Sequence, residues 1–286
     1  MSDLPKVVVT RSLSYSGTTW MSLIAGTNSR VAAVGPPDLL WRPWINCQPP
    51  SHRLPSREVR VLVDELSSKP PERGSFVRRL TEVLGRDIVL FDNPSQEFEK
   101  CELHSYPIHE VVYFRDVKRV LESYSRLHPG TSYRDQLGPQ SWFLPTLQSL
   151  KGHADRCAPV LLLSAAARNS KLIGLALERL LGEPDIAVQD AYWRYPCLMF
   201  GGNSGPLSLV SHHIDPSRPI EPRYEALYRH GQEGAHSMAL ADSPQPPTRW
   251  SFRDTLRFEV AAGTTNRRLK RLGQVFAKTL VSAPGS

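Results

Sequence analysis

Cysteine is scarce in this chain of 286 residues, and the four present, Cys47, Cys101, Cys157 and Cys197, are widely spaced. There is no C-x-x-C pair and no Cys/His cluster, which excludes a disulfide framework and a zinc site and leaves buried free thiols as the expectation. Also missing is any run of about 18 apolar residues, so no membrane span is expected. The opening "MSDLPKVVVT" lacks the basic-then-apolar layout of a signal peptide, which points to a soluble, cytoplasmic chain. Acidic residues are in the minority, 28 against 35 Lys plus Arg, for a net charge of +7. That balance favours anionic ligands. The arginines are scattered without interleaved aromatics, however, so a nucleic-acid partner is not indicated.

What is present reads as alternating strand and helix. Short apolar runs at Val7–Thr10, Ile88–Phe91, Val111–Phe114 and Val160–Leu163 lack polar alternation, as buried parallel strands do. Between them, Val117, Val120, Leu121 and Tyr124 share a helical face behind Asp116, a good N-cap. Ile173, Ala176, Leu177, Leu180 and Leu181 form a second such face, ended by Gly182 and Pro184. The predicted fold is α/β, one domain over residues 1–286, with a central parallel sheet flanked by helices. Its core covers about 6–240, and a helical segment at about 250–282 packs through Leu269, Leu272 and Phe276. Pro-rich segments at Pro36–Pro55, Pro70–Pro71, Pro206–Pro222 and Pro244–Pro247 are expected to be long loops that cover a substrate.

The stretch "KVVVTRSLSYSGTTWMSLIAG", Lys6 to Gly26, carries the chemistry. A strand runs into a Ser/Gly/Thr loop and then a helix, and the unpaired amides at a helix start suit a phosphate or sulfate. Gly17 allows close backbone approach, and the neighbouring hydroxyls add donors. This is not a Walker A loop, because no Lys precedes the hydroxyl residues, and a P-loop small-molecule kinase is the weaker alternative for that reason.

The run "SYSGTTW" resembles the 5′-phosphosulfate loop of the sulfotransferases that use 3′-phosphoadenosine 5′-phosphosulfate, and three further segments match that family in the same order. "VVYFRDVKRVLESY" places Arg115 and Ser123 where the family binds the 3′-phosphate, a guanidinium and a hydroxyl on one anion. "YRHGQEGAH" resembles the family's late Gly-containing basic loop, keeping Arg229, Gly231 and Gly234 but with His230 for the usual Lys. "KCELHSYP" places His104 where many members carry the general base that deprotonates the acceptor.

The resemblance implies a P-loop-like sulfotransferase fold. It further implies 3′-phosphoadenosine 5′-phosphosulfate as co-substrate without a metal, and an acceptor that is a small molecule or carbohydrate bearing a hydroxyl or amine. A homodimer is compatible with it. The implied nucleotide-binding residues are Arg11, Ser14, Tyr15, Ser16, Gly17, Thr18, Thr19, Trp20, Arg115, Ser123, Arg229, His230 and Gly231, and the implied base is His104. Two roles are open. Trp20 either stacks on adenine or packs against the sheet. Tyr15 replaces a Lys or Arg that normally stabilises the departing oxygen, so either Arg11 reaches in or the chain binds nucleotide and transfers sulfate weakly or not at all. His212 and His213, adjacent but without acidic partners, are expected to be surface residues and not metal ligands.

Overall fold

The computed structural model describes residues 4–48, 57–68, 72, 74–128, 130, 133–138, 141–156, 158–201, 204–222, 224–225, 228 and 250–282. Five strands, β1 (Lys6–Ser12), β2 (Val31–Gly35), β3 (Ile88–Asp92), β4 (Ile108–Phe114) and β5 (Val160–Leu162), form one parallel sheet in the order β2-β3-β1-β4-β5. In β1 the pattern of the core follows the pleat. Val7 and Val9 pack on one face with Val89, Phe91 and Phe76, while Val8 packs on the other with Ile24, Leu90 and Leu177. Burial on both faces is why the strands read as continuous apolar runs. β2 is an additional strand: "VAAVG" is short, with two alanines in five residues, a weak strand signal that pairing to β3 overrides.

The helices are α1 (Thr18–Ala25), α2 (Asp38–Ile45), α3 (Arg57–Ser67), α4 (Phe76–Leu84), α5 (Val117–Leu127), α6 (Phe143–Asp155), α7 (Lys171–Leu181) and α8 (Ser204–Ile214). They are followed by α9 (Phe252–Phe258), which passes through a π turn at Glu259–Gly263 into α10 (Thr264–Ser282). Asp116 caps α5, its carboxylate accepting from the Lys118 amide at 3.0 Å. Gly182 ends α7 in the left-handed conformation, φ 66°. Along α10, Leu269 is fully buried and Phe276 partly so, whereas Leu272 lies at the surface.

Two expectations are corrected. The Pro-rich segments are not simply loops. Residues 36–55 contain α2, with Pro43 inside it, and residues 206–222 contain most of α8, whose first turn accommodates Pro206; Pro70–Pro71 and Pro244–Pro247 lie outside the described residues. The three described cysteines are free, but Cys47 is exposed and Cys101 half-buried, leaving Cys197 as the buried thiol among them; Cys157 lies outside the described residues.

The strand order positions a site. The connection leaving β1 travels outward to β2 on one side, and the connection leaving its neighbour β4 travels to β5 on the other. Ligands of open α/β sheets lie in the crevice beyond the strand ends where such connections diverge. Here the loop after β1 and Arg115 after β4 lie at that point of divergence, in contact through the Tyr15 carbonyl.

Candidate functional site

The loop from Leu13 to Gly17 joins β1 to α1. Leu13 is anchored in the core, and the Ser16 amide donates to its carbonyl at 3.2 Å. Two residues take left-handed backbone angles, Tyr15 at φ 67° and Gly17 at φ 83°. The second is available to glycine at no cost, and the first is strained for tyrosine. Gly17 is the N-cap of α1 and no side chain closes that helix end. The first-turn amides are thus presented at an uncapped N-terminus, where the helix dipole favours an anion. Beside them Ser16 is 1 % exposed, and its hydroxyl has no hydrogen-bond partner among the described residues. A buried hydroxyl without a partner is costly, and an anion would satisfy it.

The base of the loop is braced from β3. The buried Asp92 carboxylate accepts from Thr10 Oγ1 at 2.9 Å and Ser22 Oγ at 2.7 Å through one oxygen, tying β1 and α1 to β3. Burial pushes this carboxyl up, opposed by the two hydroxyls. Asn93 adds a second brace: its Oδ1 accepts from the Ser12 amide and its Nδ2 donates to Ser12 Oγ, both at 2.8 Å.

Arg115 follows β4 and lies against this loop. Its Nη1 donates to the Tyr15 carbonyl at 3.2 Å and to Ser123 Oγ at 3.0 Å. Among the described residues it has no ion-pair partner. Burial lowers its pKa, and the neighbouring Arg126 and Arg119 lower it further, with Glu122 opposing. Glu122 itself is within 3.2 Å of Arg119. Ser123 Oγ also accepts from Arg126 Nη2 at 3.1 Å, so its oxygen is engaged by two guanidinium groups while its own proton stays available to an acceptor. An arginine with much of its surface buried, near like charge and without an ion-paired carboxylate among the described residues, is electrostatically suited to an anion.

Several predicted residues come together here: Tyr15, Ser16, Gly17, Thr18 and Thr19 at the loop and helix start, with exposed Ser14 on the rim, and Arg115 and Ser123 beside it. Others do not. Arg11 does not reach into the loop, because Glu99 and Glu110 bind its Nε, Nη1 and Nη2 at 2.6–3.1 Å. It therefore cannot replace the cation absent at Tyr15. Trp20 is not a platform for a base: its side chain is 1 % exposed within the core on the α1 face of the sheet. His104 is exposed, on the segment leading into β4, with Gly74 as its neighbour, and no hydrogen bond among the described residues joins it to the loop. Arg229, His230 and Gly231, with Gly234, lie outside the described residues. His212 is occupied by the Arg218 carbonyl through Nδ1 at 2.6 Å and meets Tyr228 edge-on, and no metal-holding cluster occurs among the described residues.

Two features escaped sequence reasoning. Arg126 joins Ser123 because they are one helical turn apart, a spacing visible in "SYSR" once Ser123 is singled out. The other is an aromatic group around Tyr15. Its hydroxyl is 2.8 Å from His128 Nε2 and its ring meets Tyr124 edge-on at 5.4 Å, while Tyr124 lies tilted on His128 at 4.4 Å and near Trp142 at 5.9 Å. Burial, and then Tyr124, raises the Tyr15 phenol pKa, which keeps it protonated. None of the known protein-family models and none of the curated proteins matches this sequence.

Proposed function

We propose that the site binds a nucleotide with two separated anionic groups and that the protein is a sulfotransferase of the P-loop-like type. It would move a sulfuryl group from 3′-phosphoadenosine 5′-phosphosulfate to a hydroxyl or amine of a small-molecule or carbohydrate acceptor. The observation that carries this reading is the adjacency of two groups suited to anions at one end of the sheet: the uncapped start of α1 with the Ser16 hydroxyl, unpartnered among the described residues, and Arg115 with Ser123, where no described carboxylate pairs with the guanidinium. The first would hold the 5′-phosphosulfate and the second the 3′-phosphate. The parallel sheet and its strand order are compatible with such a fold.

In this scheme the acceptor oxygen or nitrogen attacks sulfur as the bond from sulfur to the bridging oxygen breaks. That oxygen keeps the electron pair and leaves on the 5′-phosphate, and the acceptor's proton passes to a base. His104 is the base proposed from the sequence, and turnover of His104→Ala tests it separately from the nucleotide site. The alternative of a nucleotide binder without transfer is favoured by one observation, the engagement of Tyr15 by His128 where a cation would assist the leaving oxygen.

Calorimetry with adenosine 3′,5′-bisphosphate and with ATP tests the reading. Binding of the bisphosphate, weakened about tenfold or more in Arg115→Ala by loss of charge-assisted hydrogen bonds, is expected. Tight binding of ATP with none of the bisphosphate would overturn it. Transfer of labelled sulfate to an acceptor panel then separates enzyme from binder.

A further inference from the structure

A second cleft, of about 380 Å³, lies away from the crevice and falls in the volume range of small-molecule sites. Apolar side chains from α3 (Val61, Leu62), α4 (Val83, Leu84) and the segment at Leu198 line it, together with Arg86, the one charged residue of that lining among the described residues. Leu62 and Leu198 are buried, while Val61 and Val83 stay exposed, so the cleft carries apolar surface that the fold leaves open. Arg86 stands two residues before β3, and its Nη1 donates to the carbonyls of Asn28 and Val31 at the start of β2. The charged end of the cleft is thus at the N-terminal edge of the parallel sheet, whereas the Tyr15 loop and Arg115 follow the C-terminal ends of β1 and β4.

Two neutral carbonyls use the Nη1 protons of Arg86 but leave its charge unmatched. No carboxylate pairs with it among the described residues, and Asp87, next along the chain, is taken by Arg30. Burial lowers the Arg86 pKa with no carboxylate opposing it. Its Nε and Nη2 have no hydrogen-bond partner among the described residues. They form the side-on edge of the guanidinium, the same edge by which Arg30 holds the Asp87 carboxylate. We propose that this cleft binds a single-chain aliphatic carboxylate, with its carboxylate on the Nε/Nη2 edge of Arg86 and its chain along Leu62, Leu84 and Leu198. A neutral alkane would leave the guanidinium uncompensated, and a compact anion would leave the apolar lining wet, so an apolar body with one anionic end is the ligand that matches both. Such a site is independent of the crevice and of its nucleotide reading.

Calorimetry and methyl NMR on the full chain with hexanoate, octanoate and decanoate test this, with decanol as the uncharged control. Decanoate is expected to bind and to shift the methyl signals of Val61 and Val83. Affinity is expected to rise about tenfold for each two methylenes the cleft buries, and decanol to bind about tenfold more weakly than decanoate. Arg86→Gln should remove the preference for decanoate over decanol. Because Arg86 also braces the start of β2, thermal unfolding of that variant is measured alongside, and Val83→Glu, at an exposed position of α4, is the second variant. It should weaken decanoate about tenfold by adding a like charge to the lining. Absence of decanoate binding by wild type, equal binding of decanol, or undiminished decanoate affinity in Val83→Glu overturns the inference. A retained preference for decanoate in folded Arg86→Gln overturns the role of the guanidinium. Displacement of decanoate by adenosine 3′,5′-bisphosphate, with the Val61 and Val83 signals unmoved, places the carboxylate in the crevice and likewise overturns it. Dimerisation that Val83→Glu abolishes, with no decanoate bound, assigns the cleft to a second copy of the chain instead.

Discussion

Ser16 carries a hydroxyl at 1 % exposure that no group in the described structure satisfies. Residues kept at a cost to stability mark places where a ligand completes the bonding. Ser16→Ala should therefore stabilise the free protein, by about 1 kcal/mol on the scale of an unsatisfied buried group, or about 2 °C in Tm. The same change should weaken binding of adenosine 3′,5′-bisphosphate. Thermal unfolding and calorimetry on one variant check both, and a Ser16→Ala protein that is less stable yet binds undiminished would show the hydroxyl to be structural. Arg11 makes the opposite point. It is a cation close in sequence to the loop, yet two carboxylates hold it, so proximity along the chain is no guide to where a charge acts.

At the scale of elements, the site depends on how tightly helices close on the sheet. α1 presents its N-terminus to the crevice because Met21, Ile24 and Ala25 are locked in a core shared with α7. On α7, Gly174 allows the chain at Ile186 to pass directly over the helix: a Cβ there would stand 2.2 Å from the Ile186 carbonyl oxygen. Alanine gains about 1 kcal/mol of helix propensity over glycine. Displacing a backbone carbonyl costs more, since overpacking a core typically costs about 1–3 kcal/mol before the strained contact is added. Gly174→Ala is thus expected to lower the urea midpoint, and an unchanged or higher midpoint would mean that the two segments can separate freely.

At the scale of the whole molecule, a charged network joins β1 and β4 to the segment before His104 and to α6. Arg11 binds Glu99 and Glu110, and Glu110 also meets His153 Nδ1 at 2.8 Å. Burial pushes the Glu110 carboxyl up, but its hydrogen bonds to Arg11 and His153 outweigh this and hold it below the usual carboxylate range. A carboxyl whose folded pKa is depressed stabilises the protein above its unfolded pKa, and that contribution is lost as pH falls through the folded value. The urea midpoint should fall from pH 6 to pH 3, and Glu110→Gln should be less stable at pH 7 with a shallower acid slope. An acid slope identical to wild type in Glu110→Gln would assign the loss to other carboxylates. The net charge of +7 adds self-repulsion at low pH in both proteins, so the difference between them isolates Glu110.

The amino-acid sequence by itself determined the local pieces. The β-branched run of β1, the caps at Asp116 and Gly182, the Ser/Gly/Thr loop opening a helix, and the spacing of Arg115 and Ser123 all follow from the preferences of neighbouring residues. β2 was not legible, because alanine is a poor strand signal until a partner strand claims it. Only the tertiary structure decided which distant groups meet. The capture of Arg11 by residues 88 and 99 positions away, the bond of Tyr15 to His128 across 113 and the burial of Trp20 are set by how the strands order themselves. Local periodicity reports which face of an element is apolar. Long-range pairing of charges and hydroxyls depends on the chain path that buries those faces, and that path is a property of the whole fold.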